Sequence, residues 1–181
     1  MKNMKYLVML FVALGMAGCG YTAGSLLPSD LKTIYLEPFR NKIELTTELT
    51  FDEYRFRSYR AQLETDINRE LRDRFITDGN LKVVESEKAD LILTGELIDY
   101  LRVPVRYAAD NETVDEYRIT IVCSAQLKKT QSDQFLWKEP RIIGDSAHIL
   151  SGTTANNESV AVEAAVDDLA RRIVNHTIEG W

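Results

Sequence analysis

The stretch Val114 to Lys129 constrains the fold more than any other. Tyr117, Ile119, Ile121, Cys123, Ala125 and Leu127 alternate with Arg118, Thr120, Ser124, Gln126 and Lys128, and only Val122 interrupts the polar series. Successive side chains on a strand point to opposite faces, so this pattern predicts one long strand with one buried face. Such one-sided alternation belongs to antiparallel sheets. An apolar sheet face must be covered by a second layer, and two segments have the period to supply it. In Ser58 to Asp78, Tyr59, Leu63, Ile67, Leu71 and Phe75 recur every fourth residue, Ser58 can cap the start, and Gly79 can end the helix in a left-handed turn. In Asn156 to Gly180, Val162, Ala165, Val166, Leu169 and Ile173 form the stripe, with Asn156 or Asn157 as cap and Arg171 and Arg172 toward the negative end of the helix dipole.

The remaining strands follow from β-rich runs between turn residues. Lys32 to Phe39 is the first, closed by Pro38, and Leu81 to Glu85 is the second. Leu91 to Tyr100 is the third and opens with Leu91-Ile92-Leu93, apolar toward both faces and therefore central in the sheet. Gly95 marks a bulge or a close approach by a helix, Arg102 to Arg106 carries the strand outward, and Ala108 to Thr113 is a hairpin loop. Phe135 to Lys138 returns, Ile142 to Leu150 extends it, and Gly144 and Gly152 mark loops. Arg40 to Arg57 reads either as a loop or as a short extra element. The order β-α-β-β-β-α predicts an α+β fold: a mixed four- to five-stranded sheet with two helices packed on one face, in a single domain over 31–181. The first strand-helix-strand unit should cross over right-handed.

The other strong signal lies at the start. Lys2 and Lys5 precede the apolar run Tyr6 to Leu14, which is too short to span a bilayer. Gly15-Met16-Ala17-Gly18-Cys19 then follows the bacterial lipobox pattern, with Met16 where Leu is usual. Residues 1–18 are thus expected to be a signal peptide that is removed, leaving an acylated Cys19 on a tether over 19–30 that holds Gly24, Ser25, Pro28 and Ser29; the alternative is an ordinary signal peptide that happens to contain a cysteine. Acyl chains contribute about 0.8 kcal/mol per buried methylene, so release from the membrane would be very slow. Gly20 follows the cysteine, not the Asp that usually retains Gram-negative lipoproteins at the inner membrane, so the resemblance to such lipoproteins implies the periplasmic face of the outer membrane.

All 28 acidic residues follow Cys19, and 22 basic residues less Lys2 and Lys5 leave 20, a net charge of −8. That charge argues against nucleic acid as a partner. A 45% hydrophobic chain with only Cys123 beyond the acylated cysteine must be held by packing rather than by a disulfide. No catalytic constellation, cofactor motif or metal-ligand spacing is present. His148 and His176 stand alone and read as surface or capping residues, and Cys123 falls on the core face as a small buried thiol. Asp167-Asp168 and Asp115-Glu116 read as solvated charge.

Cys19-Gly20-Tyr21 after the signal, then Lys32 to Asn41 with its Glu37-Pro38-Phe39-Arg40-Asn41 ending, resembles the opening of the lipopolysaccharide-assembly lipoproteins, the LptE or rare lipoprotein B family. Asp78-Gly79, Leu81 to Val84 and Ala89 to Gly95 extend the resemblance over nearly the whole mature chain. The stretch Lys42 to Arg57 and the acidic balance depart from it. The resemblance implies a plug in the lumen of a large outer-membrane β-barrel, LptD, that assists barrel assembly and delivery of lipopolysaccharide to the outer leaflet, without catalysis. It also directs attention to Arg102 and Arg106, and to Lys128 and Lys129, as contacts for lipid A phosphates, with a solvated strand end as the alternative for each pair. Two other classes remain: a lipid-anchored docking module of another envelope machine, and a lipid-anchored periplasmic enzyme. A barrel partner in the same membrane separates the first from the plug, and a convergent polar site would mark the second.

Overall fold

The computed structural model describes residues 28, 30–43, 56–57 and 60–179. The signal segment, Cys19, Ser58 and Tyr59 lie outside the described residues. The strands are β1 (Thr33–Leu36), β2 (Arg40–Asn41), β3 (Phe56–Arg57), β4 (Lys82–Val83), β5 (Leu91–Tyr107), β6 (Val114–Lys129) and β7 (Phe135–Ile149), and the helices are α1 (Leu63–Asp78) and α2 (Glu158–Glu179). Among the described residues the sheet has seven strands. Its main path runs β4-β1-β5-β6-β7, and β2 and β3 pair with β5 beyond the end of β1. β1 is parallel to both β4 and β5, while β5, β6 and β7 form an antiparallel meander. The mixed α+β architecture is the one the element order predicts. Its five-stranded path is widened by the short elements within Arg40 to Arg57.

The core lies between one sheet face and both helices. Leu63, Ile67, Leu71 and Phe75 of α1 and Val162, Ala165, Val166, Leu169 and Ile173 of α2 meet Leu91, Leu93, Leu97, Ile119, Ile121, Cys123 and Leu127. Every one of these sits at a position its local period selects. Thr120 and Val122, on the opposite face of β6, are buried as well, so that face is not uniformly polar. The Thr120 hydroxyl donates to Asp145 Oδ1 at 2.7 Å on the neighbouring strand.

Three local expectations are corrected. α1 begins at Leu63, not at Ser58, because Gln62 takes a left-handed conformation with φ 67° and breaks the helix there without a side-chain cap. Gly144 lies inside β7, not in a loop. A Cβ on it would meet Ala165 O of α2 at 2.3 Å, so glycine is what lets the helix lie on the strand. Gly95 is closely approached by a ring rather than by a helix: a Cβ there would stand 2.2 Å from Phe39 Cζ. The bulge of β5 falls just beyond, between Leu97 and Asp99. The expected C-terminal turn is present, with Gly79 at φ 74° donating its N–H to Phe75 O. Asn157 caps α2 by accepting the Val160 N–H at 2.9 Å.

Both sheet edges are protected. β4 is only two residues long. On β7, the Asp145 N–H donates to Asp168 Oδ2 at 3.2 Å, and Asn156 both accepts the Ile149 N–H at 2.8 Å and donates to Ala147 O at 3.1 Å. Burial alone would push the Asp168 carboxyl up, yet the Asp145 N–H and the Arg172 and Arg171 guanidinium groups hold it below its ordinary value. Farther back along β7, Pro140 sits at the bulge between Ile142 and Glu139 and offers no N–H.

The start of the sheet is clasped by Asp90. Its Oδ2 accepts the Lys32 N–H at 3.0 Å, the Thr33 N–H at 2.9 Å and the Thr33 hydroxyl at 2.7 Å, and the Asp90 N–H returns a bond to Thr33 Oγ1 at 2.9 Å. These bonds, led by the Lys32 N–H, hold the carboxyl below its ordinary value of 3.8. The folded value is depressed, so the contribution is present above about pH 4 and is lost as pH falls through the folded value. Asp90→Ala is expected to cost about 1 kcal/mol at neutral pH, discounted because the group is only partly buried. Urea melts at pH 7 and pH 3 check this: the gap between wild type and variant should narrow at the lower pH.

Candidate functional site

β5 is 17 residues long, about 55 Å of extended chain, so the β5–β6 hairpin makes the molecule tall. The two pairs of candidate lipid-binding cations sit at its opposite ends. Arg102 lies opposite Ile119 and Arg106 opposite Glu116, whereas Lys128 and Lys129 lie opposite Ile92 and Leu91. Ile119 and Lys128 are separated by about 30 Å of strand. No single ligand head group bridges the pairs.

Each of the four cations has an acidic neighbour. Arg106 Nε stands 3.4 Å from Glu116 Oε2, Lys128 Nζ 2.9 Å from Asp133 Oδ1 and Lys129 Nζ 3.8 Å from Asp30 Oδ2. Arg102 is the most embedded in a network. Its Nη1 is 3.5 Å from Glu158 Oε2, at the first turn of α2, and its guanidinium lies 3.9 Å over the Tyr117 ring. Glu158 Oε1 also accepts the Tyr100 hydroxyl at 3.1 Å. Burial, reinforced by Glu158, pushes the Tyr100 phenol up to about 12, so it stays a neutral donor.

Tyr117 stacks on His148 with ring centroids 6.3 Å apart. His148 is not a surface residue. It is 6% exposed, and its Nδ1 has no hydrogen-bond partner among the described residues. Sequence reading missed this cluster of Tyr100, Arg102, Tyr117, His148 and Glu158. The available signal was register: Tyr117 and His148 fall opposite each other once β6 and β7 pair, and Arg102 falls on the core face once the β5 bulge shifts the phase.

Beyond the cluster the hairpin end is amphipathic. Val105, Tyr107 and Leu150 are exposed there. The connecting loop is tied by Asp110, which accepts the Thr113 hydroxyl at 2.6 Å and the Thr113 and Glu112 N–H groups, and these bonds lower its carboxyl to about 2. His176, by contrast, is half-exposed as expected, 3.8 Å from Glu139 and edge-on to Trp137. Asp167 pairs with Arg74 of α1, so the Asp167-Asp168 dipeptide holds structure on two sides rather than standing solvated. Cys123 is fully buried, and burial pushes its thiol far above the ordinary range. Among the described residues no group of three His, Cys, Asp or Glu side chains is placed to hold a metal ion, and no helix is long and apolar enough to cross a membrane.

A cleft of about 480 Å³ opens on the sheet between Thr94, Glu96, Ser124 and Gln126 and is flanked by Arg40 and Lys138. It adjoins the Glu37 to Asn41 motif, which turns out to be a clamp between sheet and helix. The Glu37 N–H donates to Leu93 O at 3.0 Å, the Phe39 N–H to Asn68 Oδ1 of α1 at 2.8 Å, and the Lys42 N–H to Leu97 O at 2.9 Å. Pro38 interrupts the strand so that the Phe39 ring can turn into the core over Gly95.

The lipopolysaccharide-assembly family model matches residues 31–177, from the β1 clasp almost to the end of α2. The chain belongs to the LptE family. This is a family of assembly lipoproteins. No curated protein matches the chain. Among solved structures it is similar to the protein CT253 of Chlamydia trachomatis, at 12% identity and a TM-score of 0.52, covering 81% of this chain and 95% of that one. It is also similar to lipoprotein B of Nitrosomonas europaea, at 14% identity and a TM-score of 0.51, covering 86% and 90%. At these identities the likeness is one of fold alone. The family match is what makes the chain an LptE-like lipoprotein, and in it the Glu37 to Asn41 motif serves packing.

Proposed function

We propose that this chain is an outer-membrane lipoprotein, acylated on Cys19 and facing the periplasm, that acts as the LptE-type plug of a large LptD-like β-barrel. In that role it assists folding of the barrel and insertion of lipopolysaccharide into the outer leaflet, and it catalyses no reaction. The family match over 31–177 carries the reading, because it spans the whole folded domain rather than one motif. The fold supports it: a tall sheet-and-helix domain with protected edges can fill a polar lumen without pairing with the barrel strands. Depletion of this chain is expected to lower the amount of folded barrel and to hold lipopolysaccharide at the inner membrane. Unchanged barrel levels would favour a docking role in another envelope machine.

Within this reading the hairpin end is the better lipid contact, since Arg106 stands there beside exposed Val105 and Tyr107, a cation next to apolar surface. Charge reversal of Arg102 and Arg106 is expected to weaken lipopolysaccharide binding about tenfold. Reversal of Lys128 and Lys129, some 30 Å away, should leave it within about twofold. Equal binding by both variants and wild type would remove the assignment.

A further inference from the structure

The two ends of the domain differ in their cations. Seven lysines follow Cys19, and six of them, Lys32, Lys82, Lys88, Lys128, Lys129 and Lys138, belong to one end, where β1, β4, β5 and β7 begin and β6 finishes. The cations of the hairpin end are arginines, among them Arg102, Arg106 and Arg118. The lysine end is also where the tether enters. Leu31 N–H donates to Pro28 O at 3.0 Å, and Asp30 meets Lys129. Cys19 to Pro28 can span at most about 30 Å, so whatever holds Cys19 keeps this end near it.

Most acids at this end are engaged within the domain. Asp30 faces Lys129, Asp133 faces Lys128, Glu85 lies 2.6 Å from Arg72, Asp78 accepts from Asn80 at 2.9 Å, and Asp90 is turned onto the backbone of β1. Glu87, Glu179 at the end of α2, and Glu139 beside Lys138 remain. Against them Lys82, Lys88 and Lys138 are exposed and make no ion pair among the described residues, and Lys32 faces only the occupied Asp90. These lysines thus stand unpaired beside acids that are mostly engaged, whereas the chain after Cys19 as a whole carries −8. One aromatic residue projects from it: Phe135 is 40% exposed, with Lys138 Nζ 3.3 Å above its ring.

We infer that this end is a membrane-contact surface, on which Phe135 enters the interfacial layer while Lys82, Lys88 and Lys138 meet the phosphates of anionic phospholipids. The inference rests on the lipoprotein reading, because the tether is what brings the surface to the bilayer. Its physics is ordinary for peripheral surfaces. Long lysine side chains reach toward head groups while their stems lie on apolar surface, and aromatic rings settle at the interface. The tether already holds this end near the bilayer, so the contact adds a local attraction beside the anchor.

The test uses the full lipidated chain in vesicles of phosphatidylcholine alone and in vesicles doped with phosphatidylglycerol, with hydrogen exchange as the readout. Amides of 82–90 and 128–138 are expected to exchange several-fold more slowly in the anionic vesicles, while those of 107–114 do not change. Lys82→Glu, Lys88→Glu and Lys138→Glu should each remove about fivefold of the binding to anionic lipid. Phe135→Ser should weaken it in both vesicles. Equal exchange in the two vesicles by an acylated chain, or protection of 107–114 instead, would overturn the inference alone. Failure of Cys19 to take up labelled palmitate in cells would overturn the lipoprotein reading and the inference with it.

Discussion

Gly144→Ala is expected to cost about 3 kcal/mol and to lower the melting temperature by roughly 6–12 °C. The added Cβ would stand 2.3 Å from Ala165 O, 2.6 Å from Leu169 Cβ and 2.8 Å from Leu169 N. Two of those three atoms are backbone, so no rotamer change relieves the contact and α2 itself must move. α2 cannot move without loss. Leu169, Ala165 and Ala170 are completely buried, and Asp168 is bonded to the Asp145 N–H on the same strand. Thermal melts of the variant read the effect directly. A change within about 1 kcal/mol would mean that helix and strand can separate freely, against the packing described.

Gly95 and Phe39 should show the second large effect, and they should show it as a coupling. Phe39→Ala empties a buried ring site and is expected to cost about 3–5 kcal/mol. Gly95→Ala drives a methyl into the same ring, whose Cζ and Cε1 would stand 2.2 and 2.3 Å away, and should cost about 2 kcal/mol. The ring has little room to withdraw, because the Phe39 N–H is tied to Asn68 on α1 and the side chain is buried. With the ring removed, the Gly95 methyl fills part of the space. The double variant should then be more stable than the sum of the single costs allows, by more than about 1 kcal/mol. Denaturant melts of all four proteins complete the cycle. Additive costs would contradict the close approach of ring and strand.

The pairing of Phe39 with Gly95 shows what sequence can and cannot specify. Local period was enough for the stripe Leu63, Ile67, Leu71 and Phe75, for the full extent of β6, and for the core face that carries Cys123. Each is decided by the neighbours of a residue along the chain. Gly95 and Gly144 were legible only as breaks in a pattern. Their reason lies in Phe39 and Ala165, residues brought over them by the fold. The same holds for His148, whose isolation along the chain says nothing of the Tyr117 that register sets beside it. Gln62 is a different failure: nothing in a glutamine announces a left-handed backbone, so the helix start was placed a turn too early.

The candidate site was legible in a similar proportion. Arg102, Arg106, Lys128 and Lys129 were selected as cations at strand ends, and the structure places them at the two ends of one hairpin. The carboxylates beside them depend on tertiary placement. Glu158 reaches Arg102 from a helix more than fifty residues later in the chain, and Asp30 reaches Lys129 from the segment before β1. The Glu37 to Asn41 motif lies within the stretch that the family model matches. Its hydrogen bonds to Leu93 and Asn68 give it a packing role.

The most direct measurement is co-purification of the tagged chain from native outer membranes in a mild detergent. A stoichiometric large β-barrel should accompany it, since a plug buried in a lumen makes a wide interface that mild detergent leaves intact. Recovery of the lipidated chain without a barrel, or with an unrelated envelope complex, would contradict the plug role.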